Sequence, residues 1–330
     1  MNQQNILNLS QKGMSLVELM IAMVISLFLT LGVFTMFSMS SSNVTTTSQF
    51  NQLQENGRIA LAILERDISQ LGFFGDLTGT DFILGINTTI EGLVAITDCE
   101  GAGLNNATLP NSQPSHFRRL WGYEQTSSAT ETLTCLGTAN VKIGTDVIQI
   151  KRFVGPSIPP APANQGDIYV SANTSEAVFY KGAAPAKTLT NAREWQYQHH
   201  VYYIADDADS IPLLRRVTLT ENGMTNREQL VEGIENVRYL YGFDDDGDST
   251  PDSYLAESDV LSNMWDNESF QRLVAVKIFI LVRSIQADRS YTNETTYQLG
   301  DKEITAPNDN FRRKVMSTTV VLENPVLIRN

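Results

Sequence analysis

Four aspartates occupy spaced positions in one short acidic stretch, FDDDGDSTPD at 243–252. Asp244, Asp246, Asp248 and Asp252 fall at positions 1, 3, 5 and 9 of a tight loop. Carboxylates that alternate along a turning backbone bring their oxygens together, which suits a hard cation such as calcium. The Asp-Gly step and the proline are equally typical of a solvated hairpin turn. A structural calcium ion and a plain acidic turn are therefore both open.

No pattern in the sequence indicates catalysis. The chain contains no G-x-S-x-G, H-E-x-x-H or G-x-x-x-x-G-K-[ST] motif. His199 and His200 are adjacent, so on a strand they would point to opposite faces and could not share a metal ion. We therefore predict a protein that is not an enzyme, with no catalytic residue and no required cofactor.

One carboxylate interrupts a long apolar run near the N-terminus, QKGMSLVELMIAMVISLFLTLGVF at 11–34. Residues 14–37 are enough to cross a bilayer core, which needs about 20 apolar residues. A carboxylate within such a run is costly and usually marks a function. The alternative is that Glu18 lies one turn inside the membrane edge and reaches the interface.

The residues around this glutamate resemble the prepilin signal of type IV pilins and type II secretion pseudopilins. The shared features are a short polar leader, Lys12-Gly13, an apolar start and a glutamate five residues after the glycine. The resemblance implies that a prepilin peptidase cuts between Gly13 and Met14 and methylates the new amine of Met14. It also implies an assembly role, in which Glu18 neutralises the terminal amine of a neighbouring subunit in a dry environment. Met14 departs from the usual phenylalanine.

Charge and composition limit the partners. The chain has 330 residues, of which 42% are apolar, and a formal net charge of −13. No cluster of five or more basic residues occurs, which argues against direct nucleic-acid binding. The length allows one or two domains.

The two cysteines, Cys99 and Cys135, lie in the part of the chain expected in the periplasm. An even number of cysteines in an oxidising compartment favours a disulfide bond. Two unrelated thiols are the alternative.

Helical spacing of apolar residues returns after the polar segment 38–49. This spacing predicts an amphipathic helix that ends at Gly72 and has Asp67 on another face than the apolar stripe. The stripe consists of Phe50, Leu53, Gly57, Leu61, Leu64, Ile68 and Leu71. We predict a leader at 1–13, a transmembrane helix half at 14–37, an amphipathic helix half at 38–72 and a globular head at 73–330.

Short alternating runs predict β-strands in the head. The clearest are 146–154, a hairpin of 195–204 with 212–220, a central strand within 270–285 and a last strand within 314–330. Shorter candidates are GTDFILGIN (79–87), LVAITD (93–98), FRRLWGY (117–123), ETLTCLG (131–137), YVSAN (169–173) and EAVFYKG (176–182). The segment 156–166 is predicted as a turn-rich connection. The fold class is therefore α+β, with a long N-terminal pilin helix and a β-rich periplasmic head.

The order of motifs in the head resembles the PilW family of type IV pilus minor pilins. The motifs are HHVYYIADDADSIPLLRRV, QLVEGIENVRYLYGFDDDGDSTPDSY, VAVKIFILVRS and FRRKVMSTTVVLENPVLIRN, with RDISQLGFFGD after the helix. The resemblance covers the first 76 residues and roughly 190–330. It implies a minor pilin that acts in priming of pilus assembly and in a tip-associated minor-pilin complex.

The same resemblance implies partners and a location. The partners are other minor pilins, the major pilin, prepilin peptidase, a PilY-type tip adhesin and the inner-membrane assembly platform. The protein would be a single-pass inner-membrane protein with its head in the periplasm, and later part of the pilus fibre at the cell surface. The alternatives are a J-type pseudopilin of type II secretion and a membrane-anchored periplasmic enzyme or binding protein.

Overall fold

A computed structural model describes most of the chain. The described residues are 13–78, 80–93, 96–111, 117–129, 131–137, 141–158, 166–182, 185, 187–207, 210–266 and 268–324. The predicted leader lies outside them except for Gly13. The chain divides into two compact units between Asn51 and Gln52.

The longest element is the helix α1, Leu16–Ser69, which is continuous over 54 residues. It passes through Gly32 and through the Ser/Thr-rich segment 38–49 without a break. Among the described residues it is the one helix long and apolar enough to cross a membrane, with a mean hydropathy of 2.4 in its apolar window. The α part of the predicted α+β fold is therefore confirmed.

The second half of α1 contributes its apolar stripe to the head. The predicted stripe residues from Leu53 onward are buried, whereas Phe50 is 38% exposed. The prediction that Asp67 lies on another face is wrong, because this side chain is only 3% exposed. Asp67 lies three residues after Leu64 and four before Leu71, so helical geometry places it on the buried face.

The remaining secondary structure of the described residues belongs to the second unit. It comprises a short helix α2, two 3-10 helices (Leu104–Asn106 and Glu257–Asp259) and fourteen strands. The bounds are β1 Thr88–Glu91, β2 Leu120–Gln125, β3 Thr145–Ile158, β4 Ile168–Ala172, β5 Ala177–Lys181, β6 Arg193–Asp206, β7 Pro212–Thr220, β8 Gly223–Glu232, β9 Ile234–Asp244, β10 Ser253–Leu255, α2 Ser262–Trp265, β11 Arg272–Arg283, β12 Tyr297–Leu299, β13 Lys302–Ile304 and β14 Arg313–Val321.

These strands form two main sheets and one small hairpin. The larger sheet has the order β1-β5-β4-β6-β3-β2, and β7 pairs with β6 and β8. The smaller sheet has the order β10-β9-β11-β14, and β12 pairs with β13. All pairings between these strands are antiparallel except that of β1 with β5.

The long strand predictions are confirmed in their described residues. Three of the short ones are confirmed as β2, β4 and β5, and the other three are wrong. The hairpin of β6 and β7 forms, and β11 lies between β9 and β14 as a central strand. In their described residues, 79–87, 93–98 and 131–137 contain turns and loops rather than strands. Phe82, Leu93 and Leu133 are nevertheless buried, because short apolar runs can fill a core without forming a ladder. The connection predicted from residue 156 begins later, since β3 continues to Ile158.

Two apolar cores lie on opposite faces of the larger sheet. One is rich in aromatic side chains in edge-to-face contact, such as Phe74 with Phe153 at 5.0 Å between ring centroids. The other lies between both sheets and α1, and includes Leu64 of α1, Ile148 of β3 and Val276 of β11. The buried half of α1 is therefore an integral part of the core of the head.

The exit from α1 depends on a glycine. Gly72 has a φ of 78°, and a Cβ at this position would overlap the backbone carbonyl oxygen of Asn324. Gly85 has a similar φ of 82° but no atom within 4 Å of such a Cβ. A substitution at position 85 therefore measures only the cost of placing a side chain on a backbone with positive φ. A substitution at position 72 measures that cost together with the overlap with Asn324.

We expect Gly72→Ala to lower the free energy of unfolding by about 3 kcal/mol, as the sum of backbone strain and overlap. Gly85→Ala should lower it by only about 1 kcal/mol. The measurement is thermal unfolding of both full-length variants in detergent. Equal losses in the two variants would mean that the contact with Asn324 is unimportant.

Candidate functional site

The start of α1 is capped by two local hydrogen bonds. The backbone N–H of Ser15 donates to Oε2 of Glu18 at 2.9 Å, and the N–H of Val17 donates to Oγ of Ser15 at 3.2 Å. This arrangement is a variant of the capping box, in which a serine and a glutamate three residues later satisfy free amides at a helix start; here the serine hydroxyl accepts from the amide of Val17 rather than from that of Glu18. Glu18 therefore has a local structural role that our sequence analysis missed, although the S-x-x-E spacing was visible.

The apolar part of α1 satisfies its own polar groups. The hydroxyls of Ser26, Thr30 and Thr35 donate to helix carbonyl oxygens at 2.7–2.8 Å. Large apolar side chains here are exposed in the isolated chain, for example Phe28 at 69% and Leu27 at 63%. A lipid environment tolerates such a helix because no hydroxyl is left without a partner. The segment has the properties required of a membrane anchor.

A buried ionic cluster connects the second half of α1 to the larger sheet. Asp67 accepts hydrogen bonds from Nε of Arg152 at 2.6 Å, Nδ1 of His200 at 2.6 Å and the hydroxyl of Tyr202 at 2.8 Å. Because the carboxylate can only accept, Nδ1 of His200 carries the proton. Burial alone would raise the pKa of Asp67, but His200 and Arg152 outweigh it and hold that pKa well below its usual value.

The two adjacent histidines lie on opposite faces of β6, as predicted. His200 contacts Asp67 on the side of α1, whereas Nε2 of His199 lies 3.2 Å from Oε1 of Gln149. Burial lowers the pKa of His199 well below its usual value. The two rings therefore share no ligand and act separately.

A second ionic cluster joins the two sheets around Arg238 of β9. Its Nη1 lies 3.0 Å from Asp146 and 2.7 Å from Glu257, and its Nη2 lies 2.7 Å from Asp301. Burial raises the pKa of Asp146 to about 7, against the opposing effect of Arg238. This carboxyl group is therefore the one in the cluster that is held closest to its neutral form.

Glu124 of β2 extends the cluster to the edge of the larger sheet. It contacts Nη1 of Arg238 at 3.3 Å and Nζ of Lys302 at 2.5 Å. Four carboxylates, those of Glu124, Asp146, Glu257 and Asp301, thus share two cations. When all are ionised, the cluster carries an excess of negative charge.

Cys99 and Cys135 form a disulfide bond, which confirms the predicted pairing. Their Cα atoms are 4.6 Å apart and the sequence separation is 36. The bond lies in the aromatic-rich core and crosslinks two segments whose described residues, 96–111 and 131–137, form no regular strand. A disulfide bond stabilises such segments by constraining the unfolded chain, where hydrogen bonds to a neighbouring strand do not contribute.

The acidic loop brings together three of the four predicted metal ligands. Carboxyl oxygens of Asp244, Asp246 and Asp252 lie within 4.8 Å of one another. This acidic triad does not include Asp248, whose Oδ1 accepts hydrogen bonds from Thr250. An all-oxygen donor set fits the chemistry of calcium.

The same carboxylates also hold the loop together without an ion. Asp244 accepts from the amides of Gly247 at 2.6 Å and Ser249 at 2.9 Å, and Asp252 accepts from the amide of Asp245 at 2.7 Å. Burial opposes ionisation of Asp244, but these amide hydrogen bonds lower its pKa overall. The geometry is therefore compatible with both interpretations of the loop.

Comparisons with known families agree with this arrangement. Residues 8–34 match the model of the prokaryotic N-terminal methylation motif, and residues 201–324 match the model of Type IV Pilus-assembly protein W. No curated protein and no solved structure matches the chain. The two family matches support a pilin related to the type IV pilus, a class of structural proteins rather than enzymes.

The two matches also indicate which type of pilin this chain resembles. The second match runs from the middle of β6 through β14, and so includes the whole smaller sheet with Arg238 and the acidic loop. Together with the first match it supports a PilW-type pilin with a prepilin-like N-terminus.

Proposed function

We propose that this protein is a minor pilin of a type IV pilus that acts in priming of pilus assembly and in the tip-associated minor-pilin complex. The observation that carries the proposal is a methylation-motif N-terminus on an exposed apolar helix, in the same chain as a PilW-type head. A helix of this kind can leave the bilayer only by packing against other apolar helices, as in a filament.

Maturation proceeds in this proposal by cleavage between Gly13 and Met14 and by methylation of the amine of Met14. Glu18 then becomes the fifth residue. Its Oε2 is engaged by the amide of Ser15, which leaves Oε1 to pair with the terminal amine of a neighbouring subunit. Such pairing removes two uncompensated charges from an apolar environment.

The helix and the disulfide bond support the location that we propose. The protein resides in the inner membrane as a single-pass protein with its head in the periplasm, where the bond between Cys99 and Cys135 persists. It then enters the pilus fibre at the cell surface. Its partners are the other minor pilins, the major pilin, prepilin peptidase, the assembly platform and a PilY-type tip adhesin.

The test is the intact mass of the membrane-extracted protein from cells with and without prepilin peptidase. We expect a chain that starts at N-methylated Met14 when the peptidase is present, and a start at Met1 when it is absent. A start at Met1 in both strains would contradict maturation as a pilin. It would favour a membrane-anchored periplasmic enzyme or binding protein.

A J-type pseudopilin of type II secretion would share the same N-terminus. The match of residues 201–324 to a pilus-assembly protein favours the pilus over secretion. Deletion of the gene separates the two, since loss of surface pili with normal protein secretion is expected for a minor pilin.

A structural calcium ion in the acidic triad is a further part of the proposal. We expect calcium chloride to raise the melting temperature of the full-length protein, because an ion that binds only the folded state stabilises it by about 2.7 kcal/mol at 100 times its dissociation constant. Asp246→Asn should abolish the shift, whereas Asp248→Asn, outside the triad, should retain it. A melting temperature that calcium leaves unchanged would assign the loop to a plain turn.

A further inference from the structure

One face of the smaller sheet, which we call the outer face, points away from the core that the sheet shares with α1. At one end the hairpin of β12 and β13 packs over this face, where Leu281 of β11 forms an apolar cluster with Tyr297 and Leu299. At the other end Tyr254 of β10 is 38% exposed and Val321 of β14 is 65% exposed. The outer face is therefore covered at one end and open at the other.

The open end of the outer face extends across all four strands of the sheet. Tyr254 lies opposite Gly242, which lies opposite Ala275. Ala275 in turn lies opposite Val321. Residues directly opposite each other point to the same face of a sheet, so two exposed apolar side chains flank two small residues. An apolar strip of this kind is a candidate surface for a protein partner.

A lysine lies beside this strip. Nζ of Lys277 is 5.7 Å from the ring centroid of Tyr254 and 5.4 Å from that of Phe279. The side chain is half-buried, and among the described residues it has no ion pair, whereas Arg238 of the same sheet contacts four carboxylates. Aromatic rings attract a cation but do not neutralise its charge. Lys277 can therefore still accept a carboxylate partner.

We propose that a neighbouring pilus subunit docks on the open end of the outer face and places an aspartate or glutamate against Lys277. Covering the lysine with apolar surface alone would bury an unpaired charge, which is strongly unfavourable. A carboxylate from the partner removes this cost, and Tyr254 and Val321 exclude water around the ion pair, as the rim of an interface hot spot does. The inference rests on the proposed function, because it requires that the head meets other subunits.

The charge of the chain makes this contact selective. The formal net charge is −13, and the acidic loop at 243–252 directly precedes β10. An acidic segment is therefore repelled by much of the protein and gains from charge only where its carboxylate meets Lys277. The lysine thus determines where the partner docks more than how tightly it binds.

The test is site-specific photocrosslinking in living cells that make pili, with the full-length protein. A benzophenone amino acid is placed at Ser317 or at Val321, two exposed residues of β14 that flank the residue opposite Lys277. It is placed separately at Leu27 in the apolar helix, where adducts report whether the protein assembles with other subunits at all. Adducts are mapped to peptides by mass spectrometry.

We expect both outer-face probes to crosslink to one segment that contains an aspartate or glutamate. Lys277→Glu should lower the adduct yield about tenfold, since like charges at an interface reduce association. Lys181→Glu makes the same charge change at an exposed site of the larger sheet and should leave the yield unchanged. Replacing the captured carboxylate residue with lysine should restore crosslinking to the Lys277→Glu variant.

A second variant, Lys277→Met, separates the charge from folding. Methionine keeps a long unbranched side chain beside the two rings and removes the ammonium group. The melting temperature should therefore stay at the wild-type value, while the adduct yield should still fall severalfold. This variant decides the test if Lys277→Glu lowers the melting temperature. A wild-type yield in Lys277→Met would exclude recognition through the lysine.

The other outcomes separate the two proposals. Adducts from Leu27 with none from the outer-face probes, or outer-face adducts to a lipid, a sugar or a segment without a carboxylate, would overturn the docking proposal and leave the pilin function intact. An absence of protein adducts from all three positions would contradict both. Equal losses of yield in Lys277→Glu and Lys181→Glu would assign the effect to overall charge and not to this surface.

Discussion

Replacing Glu18 with alanine is expected to leave the amount of protein in the membrane unchanged and to lower the number of surface pili by roughly tenfold or more. The reason is that an uncompensated amine buried in an apolar environment costs about 3–5 kcal/mol. The measurement is the quantity of pili sheared from the cell surface, together with immunoblots of the membrane fraction. Wild-type pilus numbers in the variant would rule out an assembly role for this residue.

The capping box makes a second variant necessary. Alanine removes both the negative charge and the hydrogen bond to the amide of Ser15, whereas glutamine can keep the capping bond and removes only the charge. If the charge matters, Glu18→Gln will be as defective as Glu18→Ala. Recovery of pili in the glutamine variant would instead assign the residue to the helix start.

Replacing Asp67 with alanine is expected to be the most destabilising single change in the head. It leaves Arg152 in an apolar interior without its carboxylate partner, which costs about 3–5 kcal/mol and lowers the melting temperature by roughly 10 °C. The measurement is thermal unfolding of the detergent-extracted full-length protein. The matched control is Glu65→Ala, two residues earlier on an exposed face of α1, which should change stability by less than about 0.5 kcal/mol.

The pH dependence provides an independent check on Asp67. Its pKa is lowered in the folded protein from the usual 3.8, so its contribution is complete above that value and is lost as the pH falls below it. The acid-induced loss of stability should therefore be shallower in Asp67→Ala. Equal melting temperatures and equal acid slopes for Asp67→Ala and Glu65→Ala would contradict the role of this cluster.

The elements that could be predicted from sequence are those with a long hydrophobic pattern. The apolar run and the stripe of α1, and the alternation in β6, β7 and β11, all depend on neighbours in the chain. The disulfide bond followed from the count of cysteines and the expected compartment. The helix and strand predictions hold because the spacing of apolar residues along the chain determines which face is buried.

The buried ionic residues could not be predicted in the same way. Asp67 meets Arg152 and His200 across sequence separations of 85 and 133 residues, and Arg238 meets Asp146 across 92. Only the three-dimensional fold makes these pairs neighbours. The sequence contains one signal for such a cluster, which is that Asp67 has the spacing of the buried residues of α1. The sequence analysis assigns Asp67 to another face of the helix instead.

The close approaches of α1 to β14 have a mechanical consequence. Gly57 lies against Met316 of β14, and Gly72 lies against Asn324, just beyond the end of that strand. Tension applied along α1 therefore reaches the smaller sheet at these two points, and it reaches the larger sheet through the hydrogen bonds of Asp67. β14 pairs with β11 from Val321 opposite Ala275 to Arg313 opposite Arg283, and the hydrogen bonds of this antiparallel ladder lie perpendicular to the strands. The load is thus divided between the two sheets, and the attachment of α1 to the smaller sheet depends on β14.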